Sequence, residues 1–275
     1  MLQMTRPELL QQRLKAKLRH ARGFTLIELA VVLFLVALVL GGVMTPLSTR
    51  IEQEERKQTE DMLEDIRESL IGYALVNGHL PCPDCPTGLV DADCTAAGTT
   101  TDDGIEDGVD GTNTAVSPRA GNFATCAIEI GNLPWVTLGV SEFDAWGNRF
   151  VYGVDQDFAD DDDGTACSAP ATAGISFSLC SLGGATIHST VPNPPASVVA
   201  ENIPALVYSY GANGNAFGGV APTSAIELEN WWTDTDTDFV STTFNQSAAN
   251  QFDDIVMWIT PSTLIYKMVN AERLP

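Results

Sequence analysis

Carboxylates are the side chains in this sequence that could do the most chemistry, and they fall into four clusters. The clusters are residues 102–110, 155–163 and 234–238, and the pair Asp253 and Asp254. Hard cations such as Ca²⁺ bind about six to eight oxygens from loop carboxylates and carbonyls. No cluster fits the EF-hand pattern, because the best partial match, from Asp234, has Phe239 where that pattern needs glycine. Two interpretations stay open, a calcium site or loops that are acidic for solubility.

The six cysteines form a second group with possible chemistry. Cys82 and Cys85 have the CxxC spacing of a redox site or of half a zinc site. Because no second CxxC and no His-x-x-x-His accompanies them, structural disulfides are favoured. Among the arrangements that the cysteines allow, we predict the pairs Cys82–Cys126, Cys85–Cys94 and Cys167–Cys180.

No catalytic motif stands out. The histidines, His20, His79 and His188, lie in unrelated contexts, and no GxSxG, HExxH or phosphate-binding loop occurs. A pair of carboxylates could hydrolyse glycosides, but with 36 acidic residues any chosen pair is arbitrary. We therefore predict that the protein has no catalytic residue and is not an enzyme, with a membrane-anchored periplasmic hydrolase as the lesser alternative.

One more carboxylate, Glu28, lies inside the apolar stretch 24–44. As a helix this stretch is long enough to cross a bilayer core of about 30 Å, where a carboxylate costs about 2.5 to 3.5 kcal/mol or more. Cleavage after Gly23 would leave an α-amino group on Phe24 that could neutralise Glu28. Hydropathy alone supports an uncleaved single-span anchor equally well.

The charges of the chain are distributed unevenly. Residues 1–22 contain six basic residues and one acid, so by the positive-inside rule this end stays in the cytoplasm and the rest is exported. From residue 78 onward there are 26 acidic and four basic residues. A surface this negative repels nucleic acid and attracts divalent cations. We therefore exclude nucleic acid as a partner.

The stretch RGFTLIEL resembles the processing site of type IV pilins and of the pseudopilins of type II secretion systems. In that family a prepilin peptidase cuts after the glycine, the new N-terminal phenylalanine is methylated, and the glutamate guides docking between subunits. The resemblance implies these processing and assembly roles for Gly23, Phe24 and Glu28. It also implies a leader (1–23), a transmembrane part of the N-terminal helix (24–44), an amphipathic continuation (45–77) and a periplasmic or extracellular globular head (78–275).

The residues themselves support one long helix over 24–77. Residues 47–71 contain neither glycine nor proline, and Asn77-Gly78 predicts the helix end. The predicted buried stripe consists of Met62, Ile66, Leu70 and Tyr73. Within this predicted helix Gly41, Gly42 and Pro46 either let the helix bend in a filament or are ordinary residues of membrane helices.

After Gly78 short apolar runs alternate with turn residues. We predict strands within 133–140, 149–154, 174–180, 205–211 and 253–260. A helix followed by short strands indicates an α+β fold, in which an antiparallel sheet with long acidic loops packs on the amphipathic half of the helix. The pilin fold that the resemblance implies has the same layout.

The resemblance extends into the globular head. The stretch LPWVTLGVSEFDAWGNRFVYGV resembles the sheet region of major-type pseudopilins, with a turn at residues 144–148. The stretches VYSYGANGNAFGG and FDDIV resemble the loop that holds a calcium ion in those proteins. This likeness implies that Asp253 and Asp254, with oxygens from Ser209 and Asn213, would bind Ca²⁺.

The function implied is that of a pilin-like structural subunit. Its partners would be prepilin peptidase, other pilin or pseudopilin subunits and an inner-membrane assembly platform. The chain would sit in the inner membrane with its head in the periplasm before it assembles into a type II secretion pseudopilus or a type IV pilus. Removing the 23-residue leader from 275 residues leaves 252, which is large for a repeating pilin and favours a minor subunit. The alternative is a tip adhesin or substrate-binding minor pilin.

Overall fold

The computed structural model describes residues 25–87, 94, 100–109, 115–116, 125–160, 174–192, 194–214, 221–231, 237–247 and 250–275. The side chains of 40–49 and 115–116 lie outside this description. The chain divides into two compact units, Met1–Gln53 and Glu54–Pro275. Helix α1 (Leu26–Asn77) supplies residues to both units.

Helix α1 ends where the sequence predicts. Gly78 adopts φ 87°, the left-handed conformation that favours glycine after a helix, and its N–H donates to the carbonyl of Ala74 at 2.8 Å. The helix is unbroken through residues 40–49, which include both glycines and the proline. In the described part of the chain, no helix combines the length and the apolar content that crossing a bilayer requires. The predicted span over 24–44 includes residues outside that part and stays a prediction.

The buried stripe of α1 differs in part from the predicted one. Ile66 and Leu70 are fully buried as expected, but Met62 and Tyr73 are only half-buried. The stripe lies one position further round the helix, and the buried side chains among its described residues are Thr59, Leu63, Ile66, Leu70, Ile71 and Ala74. Spacings of three and four residues keep these side chains on one face of the helix.

In the part of the chain that the structure describes, ten short strands and three further helices follow α1. The strands are β1 (Gly108–Val109), β2 (Ala115–Val116), β3 (Thr125–Cys126), β4 (Ile130–Asn132), β5 (Val151–Val154), β6 (Ala185–His188), β7 (Val198–Ile203), β8 (Ala205–Ser209), β9 (Asp238–Val240) and β10 (Ile255–Ile259). The helices are α2 (Trp135–Leu138), α3 (Ala225–Glu229) and α4 (Pro261–Asn270). The fold is therefore α+β, as predicted.

The strands form three sheets. The central sheet has the order β10-β8-β5-β4 and is antiparallel throughout. A second sheet has the order β7-β6-β9, in which β6 and β9 are parallel, and a small antiparallel sheet has the order β2-β1-β3. The parallel β6–β9 pair is the one departure from an antiparallel arrangement among the described strands.

Alternation along the central strands creates a core on each face of the central sheet. Tyr152 and Val207 pair across β5 and β8 and share a cluster with Leu70 of α1. Their neighbours in sequence, Val151 and Leu206, belong to the second cluster, which contains residues of β6, β7 and β9. The central sheet thus lies between helix α1 on one side and the second sheet on the other.

Three strand predictions are confirmed, because β5, β8 and β10 lie within 149–154, 205–211 and 253–260. The prediction for 133–140 is wrong, since this segment forms the helical turn α2 between Pro134 and Gly139, whose φ is 69°. The prediction for 174–180 is also wrong. There Ile175 and Phe177 are buried in the core, while the N–H of Ser176 bonds the carbonyl of Gly78 instead of a strand.

Candidate functional site

Glu28 lies in the first turn of α1, where it forms a capping box with Thr25. The N–H and Oγ1 of Thr25 donate to Glu28 Oε2 at 2.9 and 3.0 Å, and the N–H of Glu28 donates to Thr25 Oγ1 at 3.3 Å. Two N–H groups at the helix start are therefore satisfied within the chain. The spacing Thr-x-x-Glu carried this signal, and the sequence reasoning missed it. Gly23 and Phe24 lie outside the described residues, so their roles stay predictions.

A second group of carboxylates lies in the globular unit. Glu227, Asp253 and Asp254 each place an oxygen within 4.8 Å of the others, and we call them the carboxylate trio. All three are buried, with 2%, 7% and 2% of their surfaces exposed. Glu227 comes from α3, a short helix whose start is capped by Ser224 Oγ, and the two aspartates directly precede β10.

Amide groups hold the trio in place. Asn213 donates through Nδ2 to both oxygens of Glu227, at 3.2 and 3.3 Å, and through its N–H to Asp253 Oδ2 at 3.1 Å. Asn230 Nδ2 donates to Asp254 Oδ2 at 2.8 Å, and the N–H of Asp253 donates to Glu227 Oε1 at 3.2 Å. Asp253 Oδ1 is buried and has no hydrogen-bond partner within the described structure.

The electrostatics of the trio favour an added positive charge. Burial raises the pKa of Glu227 to about 7, and Asp253 beside it acts in the same direction. Burial also raises the pKa of Asp254 well above its ordinary value, against the hydrogen bond from Asn230. The trio presents oxygen donors only, and one of them is unpaired, so it fits a hard divalent cation such as Ca²⁺.

The structure brings together three of the four residues implied as calcium ligands. Asp253 and Asp254 belong to the trio, and Asn213 contacts it. Ser209 pairs with Ile255, the residue after Asp254, but its Oγ donates to Asp144 Oδ2 at 2.6 Å. Glu227 was missed, since it lies outside the acidic clusters and only folding brings α3 to β10. The calcium site itself stays a prediction.

The turn at residues 144–148 supports the loop that carries Asn213. Asp144 Oδ1 accepts from the N–H groups of Trp146 and Asn148 at 2.9 and 2.8 Å. Asn148 Nδ2 in turn donates to the carbonyl of Gly211 at 2.8 Å. Gly211 has φ 69°, and a Cβ there would lie 2.6 Å from the carbonyl oxygen of Asp253. This turn therefore positions the backbone beside the trio.

The CxxC cysteines bond to different partners. Disulfides join Cys82 to Cys126 and Cys85 to Cys94, the pairs proposed from the sequence. Cys180 is also disulfide-bonded, and its predicted partner, Cys167, lies outside the described residues. Because Cys82 and Cys85 are not joined to each other, the segment has the linkage of a structural crosslink and not that of a CxxC redox pair.

Ser197, His188 and Asp238 form an arrangement that the sequence reasoning did not single out. His188 Nδ1 lies 2.9 Å from Ser197 Oγ, and Nε2 lies 3.4 Å from Asp238 Oδ1. Ser197 Oγ is 2.7 Å from the carbonyl of Pro194, to which it donates, and both His188 and Ser197 are buried. Because the Ser197 hydroxyl donates its hydrogen bond to that carbonyl, the serine has the geometry of a structural bridge between β6 and the turn before β7.

The comparison with known families identifies the N-terminal segment. Residues 18–44 match the prokaryotic N-terminal methylation motif. This motif supports a type IV pilin-like protein that is processed at its N-terminus, anchored in a membrane and then associated with a filament. It points to a structural subunit rather than an enzyme. No curated protein and no solved structure matches the chain.

Proposed function

We propose that this protein is a pilin-like subunit of a type II secretion pseudopilus or a type IV pilus, where it serves as a minor component. The observation that carries the proposal is the methylation motif at 18–44 on a chain whose N-terminal helix continues into an α+β unit. Prepilin peptidase would cut after Gly23, and the new N-terminal Phe24 would be methylated. The inner-membrane assembly platform would then add the subunit to the filament.

The first part of α1 would form the contact between subunits. Every described side chain from residue 25 to residue 39 is exposed, including large apolar residues such as Leu33 and Phe34, which are 60% and 65% exposed. Such a surface needs a membrane or other apolar helices around it. Glu28 is the one charged group in this stretch. In our proposal it sets the register between neighbouring helices, while its capping box keeps the first helical turn formed.

The carboxylate trio would give the globular unit a calcium-dependent loop. Glu227, Asp253 and Asp254 would supply the ligands, and Asn213 would hold Glu227 and Asp253 toward the ion. A bound Ca²⁺ would offset the repulsion among three buried carboxylates. It would thereby tie α3 and the start of β10 together on the outside of the filament.

N-terminal processing is the first test. The full chain is expressed with and without a prepilin peptidase, extracted from membranes and examined by intact mass and N-terminal sequencing. We expect a chain that begins at methylated Phe24 only when the peptidase is present. A Gly23→Val variant should keep its leader, and Glu28→Gln should be cut normally but recovered less in sheared filaments. A wild-type chain that keeps its leader with an active peptidase would overturn the proposal.

Copy number tests the minor role. A size of 252 residues after cleavage and the additional sheet β7-β6-β9 support it. Quantitative mass spectrometry of sheared filaments should find this chain at a small fraction of the most abundant subunit. A chain that equals or exceeds every other subunit would instead be the repeating component.

A further inference from the structure

A second group of buried acids lies beside the two described disulfides and has no role in the proposed function. Asp84 and Asp107 are fully buried. Each uses one oxygen to accept a backbone N–H, since Gly104 donates to Asp84 Oδ2 at 3.2 Å and Cys85 donates to Asp107 Oδ2 at 2.9 Å. The remaining oxygen of each carboxylate, Oδ1, is buried and has no partner within the described structure.

A neighbouring acid shows what full pairing looks like in this segment. Glu106 accepts from the hydroxyl of Tyr73 at 2.6 Å and from the N–H of Cys82 at 3.1 Å, so both of its oxygens are bonded. Asp84 and Asp107 differ from it in keeping one oxygen each available inside the protein. An unpaired buried carboxylate oxygen costs free energy unless a proton or a ligand reaches it.

The guanidinium of Arg149, which lies in this neighbourhood, is already paired with other acids. Arg149 pairs with Asp102 at 2.6 Å and with Glu142 at 2.8 Å, and its guanidinium lies 4.9 Å from the ring centre of Trp135. Among the described ion pairs none includes Asp84 or Asp107. Asp102, Asp103 and Asp107 lie close enough to Asp84 to act on its charge. Among the described residues these acids therefore have no cationic partner of their own.

The backbone around these acids is fixed before any ligand arrives. Asp84 exchanges two backbone hydrogen bonds with Asn132, each of 2.9 Å. The disulfides on either side hold Cys82 to Cys126 and Cys85 to Cys94. Gly104 packs so tightly on Trp135 that an added Cβ would lie 2.3 Å from the ring. Carboxylates that are held this firmly lose little conformational freedom when they bind an ion.

We propose that Asp84 and Asp107 form a binding site for a divalent cation of the Ca²⁺ class, separate from the carboxylate trio. Their Oδ1 atoms would be the carboxylate ligands, and backbone carbonyls and water would complete an all-oxygen shell. The ion would hold the disulfide-linked segment and the 102–107 loop together. This proposal does not depend on processing, assembly or the calcium site at Glu227.

The test counts bound calcium ions per chain. Full-length protein in detergent is stripped of metal with a chelator and then dialysed to equilibrium against labelled Ca²⁺. We expect Asp84→Asn and Asp107→Asn each to lower the count by one, because the amide keeps the shape but removes the charged ligand. Asp65→Asn, at an exposed position on α1, is the matched control and should keep the wild-type count.

A second variant separates the two sites. Glu227→Gln removes a ligand of the trio, and we expect this variant to retain one bound ion that the additional change Asp84→Asn abolishes. The proposal is overturned if Glu227→Gln binds no calcium, or if Asp84→Asn and Asp107→Asn both bind as many ions as the wild type.

Discussion

Two regions of the globular unit bury several carboxylates, and they stabilise them by different means. Around Asp84, Glu106 and Asp107 the acids accept backbone N–H groups from a segment that two disulfides crosslink. Around the trio, the bonds come largely from the side-chain amides of Asn213 and Asn230. Disulfides thus reinforce the hydrogen bonds of the first region, whereas no described disulfide lies at the trio.

This difference indicates how each region would respond to a lost cation. A crosslinked segment has little freedom to gain when its acids repel one another, so its shape should survive. The trio joins α3 to the start of β10, which are 24 residues or more apart in sequence, and no described disulfide spans them. We therefore expect disulfides to dominate the stability of the first region and calcium to dominate that of the second.

The largest effect should come from removing the long-range disulfide. Changing Cys82 and Cys126 together to serine opens a loop whose ends are 44 residues apart. The chain-entropy relation gives a loss of about 4 kcal/mol in the free energy of unfolding. The Cys85 and Cys94 pair, 9 residues apart, should cost about 3 kcal/mol. Thermal melting of the full chain in detergent measures both losses. Equal melting temperatures for the wild type and the Cys82/Cys126 variant would contradict the assignment of stability to this crosslink.

Calcium removal should have the next largest effect. At a free concentration of about 100 times the dissociation constant, one bound ion stabilises a protein by about 2.7 kcal/mol. We expect a chelator to lower the melting temperature of the wild type, and Glu227→Gln to lose a large part of this response. The serine variants of both disulfides serve as the comparison and should keep the calcium response of the trio. If the wild type had the same melting temperature in calcium and in chelator, calcium would stabilise neither region.

The pH dependence of the metal-free protein should come from both regions. Burial raises the pKa of Asp84 to about 8 and that of Glu227 to about 7, whereas the unfolded chain titrates near the ordinary values. Between the two sets of values the folded state thus binds more protons than the unfolded state. The stability that these groups contribute is therefore full below about pH 4 and is lost as pH rises to about 7 for Glu227 and to about 8 for Asp84. We expect chelator-treated protein to melt higher at pH 5.5 than at pH 8.5.

Variants divide this pH effect between the two regions. Glu227→Gln should flatten the profile between its ordinary pKa of 4.5 and about 7, and Asp84→Asn should flatten it between 3.8 and about 8, because each removes one proton-binding group. An exposed change such as Asp65→Asn should leave the profile as it is. A metal-free wild type that becomes more stable between pH 5.5 and pH 8.5 would show that these carboxyl groups are not protonated in the folded chain.

The sequence predicts the end of α1 and the strands β5, β8 and β10, because local signals determine them. The Asn77-Gly78 helix stop and period-two alternation need no knowledge of distant residues. The strand prediction for 133–140, which is wrong, also had a local signal against it, since Pro134 and Gly139 bracket one helical turn.

The candidate site could be predicted only in part, because it depends on contacts between distant segments. Asp253 and Asp254 are adjacent in the sequence, so their acidity is visible there. Glu227 is one acid among many until folding brings α3 to β10. In the same way, nothing in the sequence around Asp84 indicates that Asp84 and Asp107 each keep one unpaired oxygen. Local pattern therefore indicates where acids are concentrated, and tertiary packing decides which of them face one another.

The smallest effect should come from Arg149, and it would sharpen the contrast between the two regions. Arg149→Gln removes the ion pairs to Asp102 and Glu142, which are about one quarter exposed. Pairs this accessible to water contribute about 0.5 to 1 kcal/mol, so the melting temperature should fall by only ~1–4 °C. The calcium response of the trio should stay at the wild-type level, because the described ion pairs of Arg149 are with Asp102 and Glu142 and not with an acid of the trio. If Arg149→Gln instead lowered calcium binding at the trio, the two regions would be coupled, and the division between covalent and ionic stabilisation would be wrong.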